Sequence, residues 1–245
     1  MIKYNNDLKI FYSSLINDDS YFSGFSTKEL GDGRKTDIIF DFFKKNNFQF
    51  KKIVFLEQIH STNIAFFQSS SEEVFKKITE TDGVITKDND TVLVVRNADC
   101  LPLTFVDKEN EVIGISHQGW RGSIKRMAQK MVNKMLNIGA KKEKIIVILG
   151  PAIGSCCYDI DEERYHQFKE EFDMYSDKIF SYQKRKIFLN LSLLNYLLLL
   201  EVGISKKNID FFPFCTQCDK RFFSFRRYKK DKKDYGEMFN FILKN

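Results

Sequence analysis

The chain has 245 residues, of which 43% are hydrophobic and 25 are phenylalanine. This composition supplies a sizeable buried core and excludes a wholly disordered chain. The formal net charge of +6 comes mostly from lysines that are dispersed along the sequence. A dispersed charge of this kind is typical of a solvated surface, so we expect no nucleic-acid partner.

The hydrophobic pattern predicts alternating strands and helices along the chain. Apolar, β-branched runs predict strands at 53–58, 91–95, 112–116, 145–149, 209–213, 222–225 and 238–243. Helical spacing predicts helices at 123–138, 161–172 and 191–202. Gly139 and Gly203 follow two of these helices as C-terminal signals, and Asn190 is placed as an N-cap.

This order of elements predicts an α/β (α+β) fold in which mixed β-sheets are flanked by helices. The sequence has no linker rich in proline or serine and no internal repeat, so we expect a single domain over residues 1–245. The N-terminal residues lack the apolar segment of a signal peptide, and the longest apolar run falls short of the ~20 residues that span a bilayer. We therefore expect a cytoplasmic protein with no membrane partner.

Five cysteines occur in this chain. Their odd number and the missing export signal favour reduced thiols over a disulfide framework. Cys215 and Cys218 have the spacing of a metal or redox pair, but a closed zinc site needs two further ligands. Cys156 and Cys157 would supply them only if the fold brought the two segments together. We expect ordinary buried or turn cysteines.

His60 and His117 each follow a predicted strand, and Cys100 lies just past a third. Side chains at strand ends commonly build functional sites. Two imidazoles and one thiolate form a ligand set that zinc accepts, and three protein ligands leave a fourth position for water or substrate. Considered singly, however, a histidine or a cysteine is more often structural, and these three form no local motif.

Six short motifs occur in order along the chain: QIHS at 58–61, DGVIT at 82–86, ADCLPL at 98–103, HQGWRG at 117–122, GPAIGSCCY at 150–158 and FFSFRR at 222–227. Together they resemble the successive motifs of the YfiH/YlmD family, once called the laccase-domain or polyphenol oxidase family. The segment 24–28 also resembles a family motif, with Lys28 in place of an arginine. Gln118 and Glu237 replace a small residue and a basic residue of the family pattern.

The resemblance implies an α/β fold of mixed sheets and a purine nucleoside phosphorylase acting on adenosine, inosine, guanosine or methylthioadenosine, often with adenosine deaminase activity. It also implies a zinc ion on His60, Cys100 and His117. The implied partners are a purine nucleoside and phosphate. Some members of the family are instead described as peptidoglycan editing factors.

The motif context assigns hypothetical roles to further residues. Arg121 and Arg227 would neutralise anionic charge, and Lys28 and Arg226 complete the candidate set for substrate or phosphate. Asp82 and Asp99 are candidate catalytic residues, either for proton transfer or for holding the second nitrogen of a ligand histidine. For Asp82, which precedes Gly83, a simple Asx turn is an equally good interpretation.

Other functions remain open at this point. A cysteine hydrolase, with Cys100 as nucleophile and His117 as base, would use the same residues on a peptidoglycan precursor or another amide. A third hypothesis is a zinc-stabilised module that binds a nucleotide but does not catalyse a reaction. A multicopper polyphenol oxidase needs far more imidazoles than three histidines offer, so zinc is favoured over copper. The preferred nucleoside and the oligomeric state are left open.

Overall fold

The structure is a computed structural model that describes residues 1–245. Its strands are β1 Ile2–Asn5, β2 Ile10–Ser13, β3 Tyr21–Ser26, β4 Lys52–Leu56, β5 Ile64–Phe67, β6 Phe75–Ile78, β7 Gly83–Thr86, β8 Thr91–Asn97, β9 Leu101–Asp107, β10 Val112–Gln118, β11 Ile146–Leu149, β12 Asp159–Ile160, β13 Phe180–Gln183, β14 Lys186–Leu189, β15 Ile209–Phe211 and β16 Met238–Lys244. Its α-helices are α1 Thr36–Lys45, α2 Trp120–Ile124, α3 Met127–Asn137, α4 Glu162–Glu171, α5 Ser176–Ile179, α6 Leu191–Glu201 and α7 Phe225–Asp231.

The strands form two large mixed sheets and one small antiparallel sheet. The seven-stranded sheet has the order β1-β2-β3-β16-β8-β4-β6, and β4 runs parallel to both of its neighbours. The six-stranded sheet has the order β15-β11-β9-β10-β7-β5, with parallel pairs at its two edges. The small sheet has the order β12-β14-β13. The predicted fold class, mixed sheets flanked by helices, is confirmed.

The two large sheets pack face to face and are covered by helices on their outer faces. One apolar cluster joins Phe25, Leu56 and Val95 of the first sheet to Val106 and Ile113 of the second. On the outer face of the first sheet, α1 buries its apolar stripe against β16. The methionine stripe of α3 covers the outer face of the second sheet. The central strands β9 and β10 are consequently buried along their whole length, in keeping with the mostly apolar sequence in the middle of each strand.

Most of the predicted elements are present with small shifts at their ends. The strands predicted at 53–58, 91–95, 112–116, 145–149, 209–213 and 238–243 correspond to β4, β8, β10, β11, β15 and β16. The two later helices are confirmed as α4 and α6. Asp161 caps α4 by accepting a hydrogen bond from the Arg164 backbone N–H, and Asn190 caps α6 in the same way from Leu193.

Two predicted elements are wrong. The helix predicted at 123–138 is divided into α2 and α3, because Arg126 has a left-handed backbone with φ of 59°. Ion pairs from Arg126 to Glu171 and Glu201 accompany this break. The segment 222–225, predicted as a strand, leads instead into α7, since Ser224 accepts a hydrogen bond from the Arg227 backbone N–H as an N-cap.

The longest apolar run of the sequence forms α6. Its Leu191, Leu194, Leu198 and Leu199 are buried in the clusters that join this helix to α3 and to the small sheet. The prediction of a core helix is therefore confirmed. None of the helices in the chain is both long and apolar enough to cross a lipid bilayer.

Replacement of Phe43 by alanine tests the packing of α1 on the seven-stranded sheet. Phe43 is fully buried, and its ring lies 4.9 Å from that of Phe241 between centroids. We expect Phe43→Ala to lower the free energy of unfolding by about 3–5 kcal/mol, measured by equilibrium urea denaturation. The matched control is Phe66→Ala, whose side chain is 44% exposed and which should cost less than about 1 kcal/mol. Equal losses in both variants would contradict this account.

Candidate metal centre and active-site cleft

The sheet topology brings His60, Cys100 and His117 together. Strands β4 and β8 are parallel neighbours, so the loops that follow them, with His60 and Cys100, leave the same edge of the first sheet. Both loops then enter the second sheet, as β5 and β9. Because β10 is antiparallel to β9, its C-terminal end, with His117, lies beside the start of β9. The three side chains therefore meet where the chain passes between the two sheets.

The ligand atoms of these three residues form one compact group. All lie within 4.8 Å of one another, and the His60 Nε2 is 3.8 Å from the Cys100 Sγ. The His60 and His117 rings meet edge to face with centroids 4.8 Å apart. His117 is buried, whereas His60 is exposed on one side. The group is thus open to solvent from the side of His60.

The carboxylate of Asp82 orients two of the three residues. Asp82 is fully buried, and its Oδ1 lies 2.9 Å from the Nδ1 of His117. Its oxygens also accept hydrogen bonds from the backbone N–H groups of Ile59, His60 and Ser61 and from the Ser61 hydroxyl. Since Nδ1 of His117 is engaged, Nε2 is left as the free nitrogen, which is the usual arrangement behind a metal-ligating histidine.

The backbone around the group has unusual conformations. His60 and Asp99 have φ values of 60° and 90°, which non-glycine residues rarely adopt. Such conformations persist where the surrounding structure enforces them, and they cluster at functional sites. A Cβ added to Gly119 would lie 3.0 Å from the Cys100 Sγ and 3.1 Å from the His60 Cδ2. Glycine at this position therefore leaves room beside the two side chains.

The electrostatics of the group favour a thiolate beside an imidazolium when no metal is bound. Burial raises the pKa of Cys100, but the charge and hydrogen bonds of His117 and His60 outweigh it and lower the pKa to about 6. Burial lowers the pKa of His117, whereas the Cys100 thiolate and the Asp82 carboxylate raise it to about 10. Burial also raises the pKa of Asp82, and hydrogen bonds from His117 and Ser61 bring it below its usual value.

The residues present fit a bound metal ion. A thiolate and two imidazoles at these separations match the donor types and reach of a tetrahedral zinc site, in which the bonds are about 2.0–2.3 Å long. Three protein donors leave one position open, and the cleft described next adjoins it. The predicted ligands are therefore brought together in an arrangement that could hold a metal ion.

The cleft beside this group has two lobes that share Ala98, Cys100 and Phe225. One lobe, of about 130 Å³, is mainly apolar and is lined by Trp120, Ile153, Tyr158, Leu191 and Arg226 among others. The other lobe, of about 300 Å³, is mainly polar and is lined by Gln58, His60, Arg96, Asn97, His117, Tyr235 and Glu237. The polar lobe reaches the lower end of the range of about 300–1,000 Å³ that is typical of small-molecule sites.

Asp99 and Arg226 of the last motif line the apolar lobe. The Asp99 carboxylate accepts hydrogen bonds from the Thr216 hydroxyl, the Ser224 hydroxyl and the Arg226 backbone N–H, at 2.6, 3.0 and 2.7 Å. It thereby joins the loop of Cys100 to the start of α7. The Arg226 guanidinium forms an ion pair with Asp159 while it lines the lobe.

The other three predicted cationic residues lie outside the two lobes. The Arg227 guanidinium donates hydrogen bonds to the carbonyls of Thr216, Gln217 and Phe222, which leaves it in a structural position. Arg121 is exposed and stacks on Trp120, with its guanidinium carbon 4.5 Å from the ring centroid. Lys28 pairs with Asp234 at 3.1 Å and does not line the cleft.

Sequence reasoning missed Arg96 and Gln58, which line the polar lobe. The Gln58 side chain accepts a hydrogen bond from the Arg96 backbone N–H and donates one to its carbonyl, at 2.8 and 2.7 Å. This pair fastens the end of β4 to β8. Gln58 is the first residue of the motif QIHS, and Arg96 lies in β8, shortly before Cys100. Their proximity to motif residues could have indicated that they belong to the site.

Comparison with known proteins identifies the family of the chain. Residues 41–245 match the model of a family described as multi-copper polyphenol oxidoreductase laccase. The chain belongs to this family, the laccase-domain or YfiH/YlmD family. The crystal structure of the Bacillus licheniformis hypothetical protein YfiH is 27% identical, with a TM-score of 0.79 over 92% of this chain and 93% of that one.

Relatives in this family have names of purine-nucleoside enzymes. A purine nucleoside phosphorylase of Rickettsia prowazekii, RP494, is 37% identical over 50% of this chain and 49% of its own length. The chain thus spans about half the length of that relative. A purine nucleoside phosphorylase of Borreliella burgdorferi is 31% identical over 76% of this chain and 81% of its own. Adenosine deaminase RL5, from an unknown prokaryotic organism, is 29% identical over 71% and 70%.

Replacement of Asp82 by asparagine tests whether its hydrogen bonds to His60 and His117 support metal binding. An amide cannot accept all the hydrogen bonds of the carboxylate, so we expect Asp82→Asn to weaken zinc binding by about 10–100-fold. The measurement is competition with a chromophoric chelator. Asp107→Asn is the matched control, because Asp107 is equally buried but accepts its hydrogen bonds from Asn110 and Lys141 in another turn. Unchanged affinity in Asp82→Asn would refute the role of the carboxylate.

Proposed function

We propose that the chain is a zinc-dependent purine nucleoside phosphorylase, acting on adenosine, inosine, guanosine and methylthioadenosine, with adenosine deaminase activity as well. One observation carries the proposal: the three candidate metal ligands line a polar lobe that contains an arginine, and one of them, Cys100, also lines the adjoining apolar, aromatic lobe. An aromatic slot suits a purine base, and a polar lobe suits a ribose and an anion. The names of the related proteins support the same substrate class.

In phosphorolysis a phosphate oxygen forms a bond to the anomeric carbon of ribose as the bond to the purine nitrogen breaks, and the purine leaves with a proton. His60, Cys100 and His117 would hold the zinc ion, with Asp82 fixing His117 by its Nδ1. A zinc ion bound there supplies Lewis acidity and a template for orienting an oxygen nucleophile.

The chain's own residues would bind and position the substrates. Trp120, Tyr158 and Phe225 line the apolar lobe, where they can pack against the purine ring and exclude water. Arg96 projects to the polar lobe with Glu237 as its ion-pair partner at 4.0 Å, a distance that leaves the guanidinium available to phosphate. Arg121, stacked on Trp120, adds positive charge near the rim.

Asp99 and Arg227 act on this cleft through other residues. All hydrogen-bond partners of the Asp99 carboxylate belong to the segment 216–226 that forms the lobe wall, and Arg227 bonds three carbonyls of the same segment. We propose that both position the wall and neither contacts phosphate. This proposal replaces two expectations from the sequence: proton transfer or support of a ligand histidine by Asp99, and neutralisation of anionic charge by Arg227.

Release of the purine base tests the activity directly. We expect purified protein loaded with one equivalent of zinc at this centre to release base from adenosine, inosine, guanosine and methylthioadenosine only when phosphate is present. Chromatography measures the base, and an ammonia assay with adenosine measures deamination. In His117→Ala both activities should fall by more than about 100-fold with loss of this zinc, since a metal ligand contributes at least as much as the residues behind it.

His166→Ala is the control, because His166 is exposed on α4 and lines neither lobe. Loss of activity in both histidine variants would indicate a general loss of folding. Inactive protein without metal at this centre, in which an alkylating reagent rapidly modifies Cys100, would overturn the proposal. That result would favour the cysteine hydrolase, for which the lowered pKa of Cys100 beside His117 is suited.

Replacement of Arg96 tests the assignment of the phosphate position. A hydrogen bond to a charged group contributes about 1.5–3 kcal/mol, so Arg96→Ala should raise the KM for phosphate by about 10–100-fold while the KM for the nucleoside changes little. Steady-state kinetics with each substrate varied in turn provides both constants. Arg185→Ala, an exposed arginine on the turn between β13 and β14, should leave both unchanged. An increase confined to the nucleoside KM would place phosphate elsewhere.

A further inference from the structure

The four cysteines outside the candidate metal centre converge at one point of the surface. Cys156 and Cys157 lie in the turn between β11 and β12, and Cys215 and Cys218 lie in the segment between β15 and α7. Their four Sγ atoms are all within 4.8 Å of one another. The Sγ of Cys218 is 3.7 Å from that of Cys156 and 3.3 Å from that of Cys157. The fold thus brings together two segments about 60 residues apart.

We propose that these four cysteines bind a second, structural zinc ion. In a tetrahedral site with zinc–sulfur bonds of about 2.3 Å, neighbouring sulfurs are about 3.8 Å apart. In the quartet of Cys156, Cys157, Cys215 and Cys218, the two distances from the Cys218 Sγ to the Cys156 and Cys157 Sγ atoms, 3.7 and 3.3 Å, are close to this value, and all other sulfur separations are within 4.8 Å. Four protein ligands fill the coordination shell, so the site is closed and has no position for a substrate. It differs in this respect from the group of His60, Cys100 and His117.

The surroundings of the quartet suit a bound metal. The Gly154 backbone N–H donates a hydrogen bond to the Cys215 Sγ at 3.1 Å, as N–H groups commonly do to metal-bound thiolates. A Cβ at Gly154 would lie 3.0 Å from the Cys215 Cβ and 3.4 Å from the Cys156 Sγ, so glycine permits this approach. The Arg227 guanidinium donates hydrogen bonds to the carbonyls of Thr216 and Gln217, which holds the backbone between Cys215 and Cys218 in place.

The proposed zinc ion would fasten the wall of the apolar lobe. Ile153 and Tyr158, which flank the first cysteine pair, both line that lobe. Thr216, between the second pair, donates to the Asp99 carboxylate beside Cys100. The two turns are also joined by a β-bridge between Ala152 and Cys215 and by the hydrogen bond from the Gly154 backbone N–H to the Cys215 Sγ. A metal ion across both turns would therefore hold the lobe in shape.

Metal analysis in a Cys100→Ala background separates the two sites. This variant removes the one cysteine outside the quartet, so every remaining thiol belongs to the proposed site. We expect one zinc per chain by mass spectrometry after gel filtration, against two in the unaltered protein. The remaining four thiols should react with a thiol reagent together with release of that zinc. Cobalt in place of zinc should produce the intense visible bands of a tetrahedral tetrathiolate site.

Addition of Cys157→Ser and Cys218→Ser should abolish this zinc, the cobalt bands and the coupling between thiol reaction and metal release. It should also lower the melting temperature and alter the fluorescence of Trp120, the single tryptophan, which lines the lobe. If this variant does not fold, the cobalt spectrum of Cys100→Ala alone still decides the question.

Two outcomes in Cys100→Ala would overturn the proposal. One is metal-free protein whose four thiols are all freely reactive. The other is metal-free protein whose mass is lower by two hydrogens for each disulfide formed and is restored by a reductant. Either result leaves the proposed nucleoside activity untouched, because that activity is measured with the His60, Cys100 and His117 centre intact.

Discussion

The candidate metal centre depends on the burial of a single carboxylate, that of Asp82. Removing an ionised carboxylate from water costs several kcal/mol unless its oxygens find donors. In this protein the donors are three consecutive backbone N–H groups and a hydroxyl of the loop 59–61, together with the His117 ring. The same hydrogen bonds that satisfy the charge therefore fix His60 and His117 relative to each other.

A second buried carboxylate, that of Asp99, also holds two segments of the chain together, next to Cys100. Its three hydrogen bonds attach the lobe wall formed by 216–226 to the loop between β8 and β9. Asp82 lines neither lobe, and Asp99 lines the apolar lobe with both carboxylate oxygens already engaged in hydrogen bonds. The imidazoles of His60 and His117, the Cys100 thiol, several aromatic rings and Arg96 also line the cleft, and these are the groups that we assign to binding.

The pattern of hydrophobic residues predicted the fold class, the helices α4 and α6 and six of the sixteen strands, among them the buried strands β8 and β10. It did not predict β9, in which Pro102 interrupts the apolar sequence, or the short strands such as β1 and β12. The break at Arg126 could not be predicted, since the methionine stripe continues across it in register and the stabilising partners, Glu171 and Glu201, come from distant segments. The helix α7 was not predicted for a related reason. The three aromatic residues at 222–225 have the composition of a strand, but Ser224 accepts a hydrogen bond from the Arg227 backbone N–H and starts a helix.

Within the site, the metal-ligand residues could be found only through motif resemblance, because parallel pairing of β4 with β8 is what brings distant positions together. The roles of the arginines could not be read from motifs at all. Arg226 and Arg227 are adjacent in sequence, yet one lines the cleft and the other binds three backbone carbonyls. The convergence of the four cysteines likewise required the three-dimensional path of two long connections.

The position of β16 has a consequence for how the protein is made. This strand lies in the interior of the seven-stranded sheet, between β3 and β8, although it follows every other strand in the sequence. During synthesis, the backbone N–H and C=O groups of β3 and β8 that pair with β16 therefore have no partner strand until residues 238–244 leave the ribosome. Open edges of apolar strands readily pair with other chains. The growing polypeptide thus has a long interval in which a chaperone would protect it from aggregation.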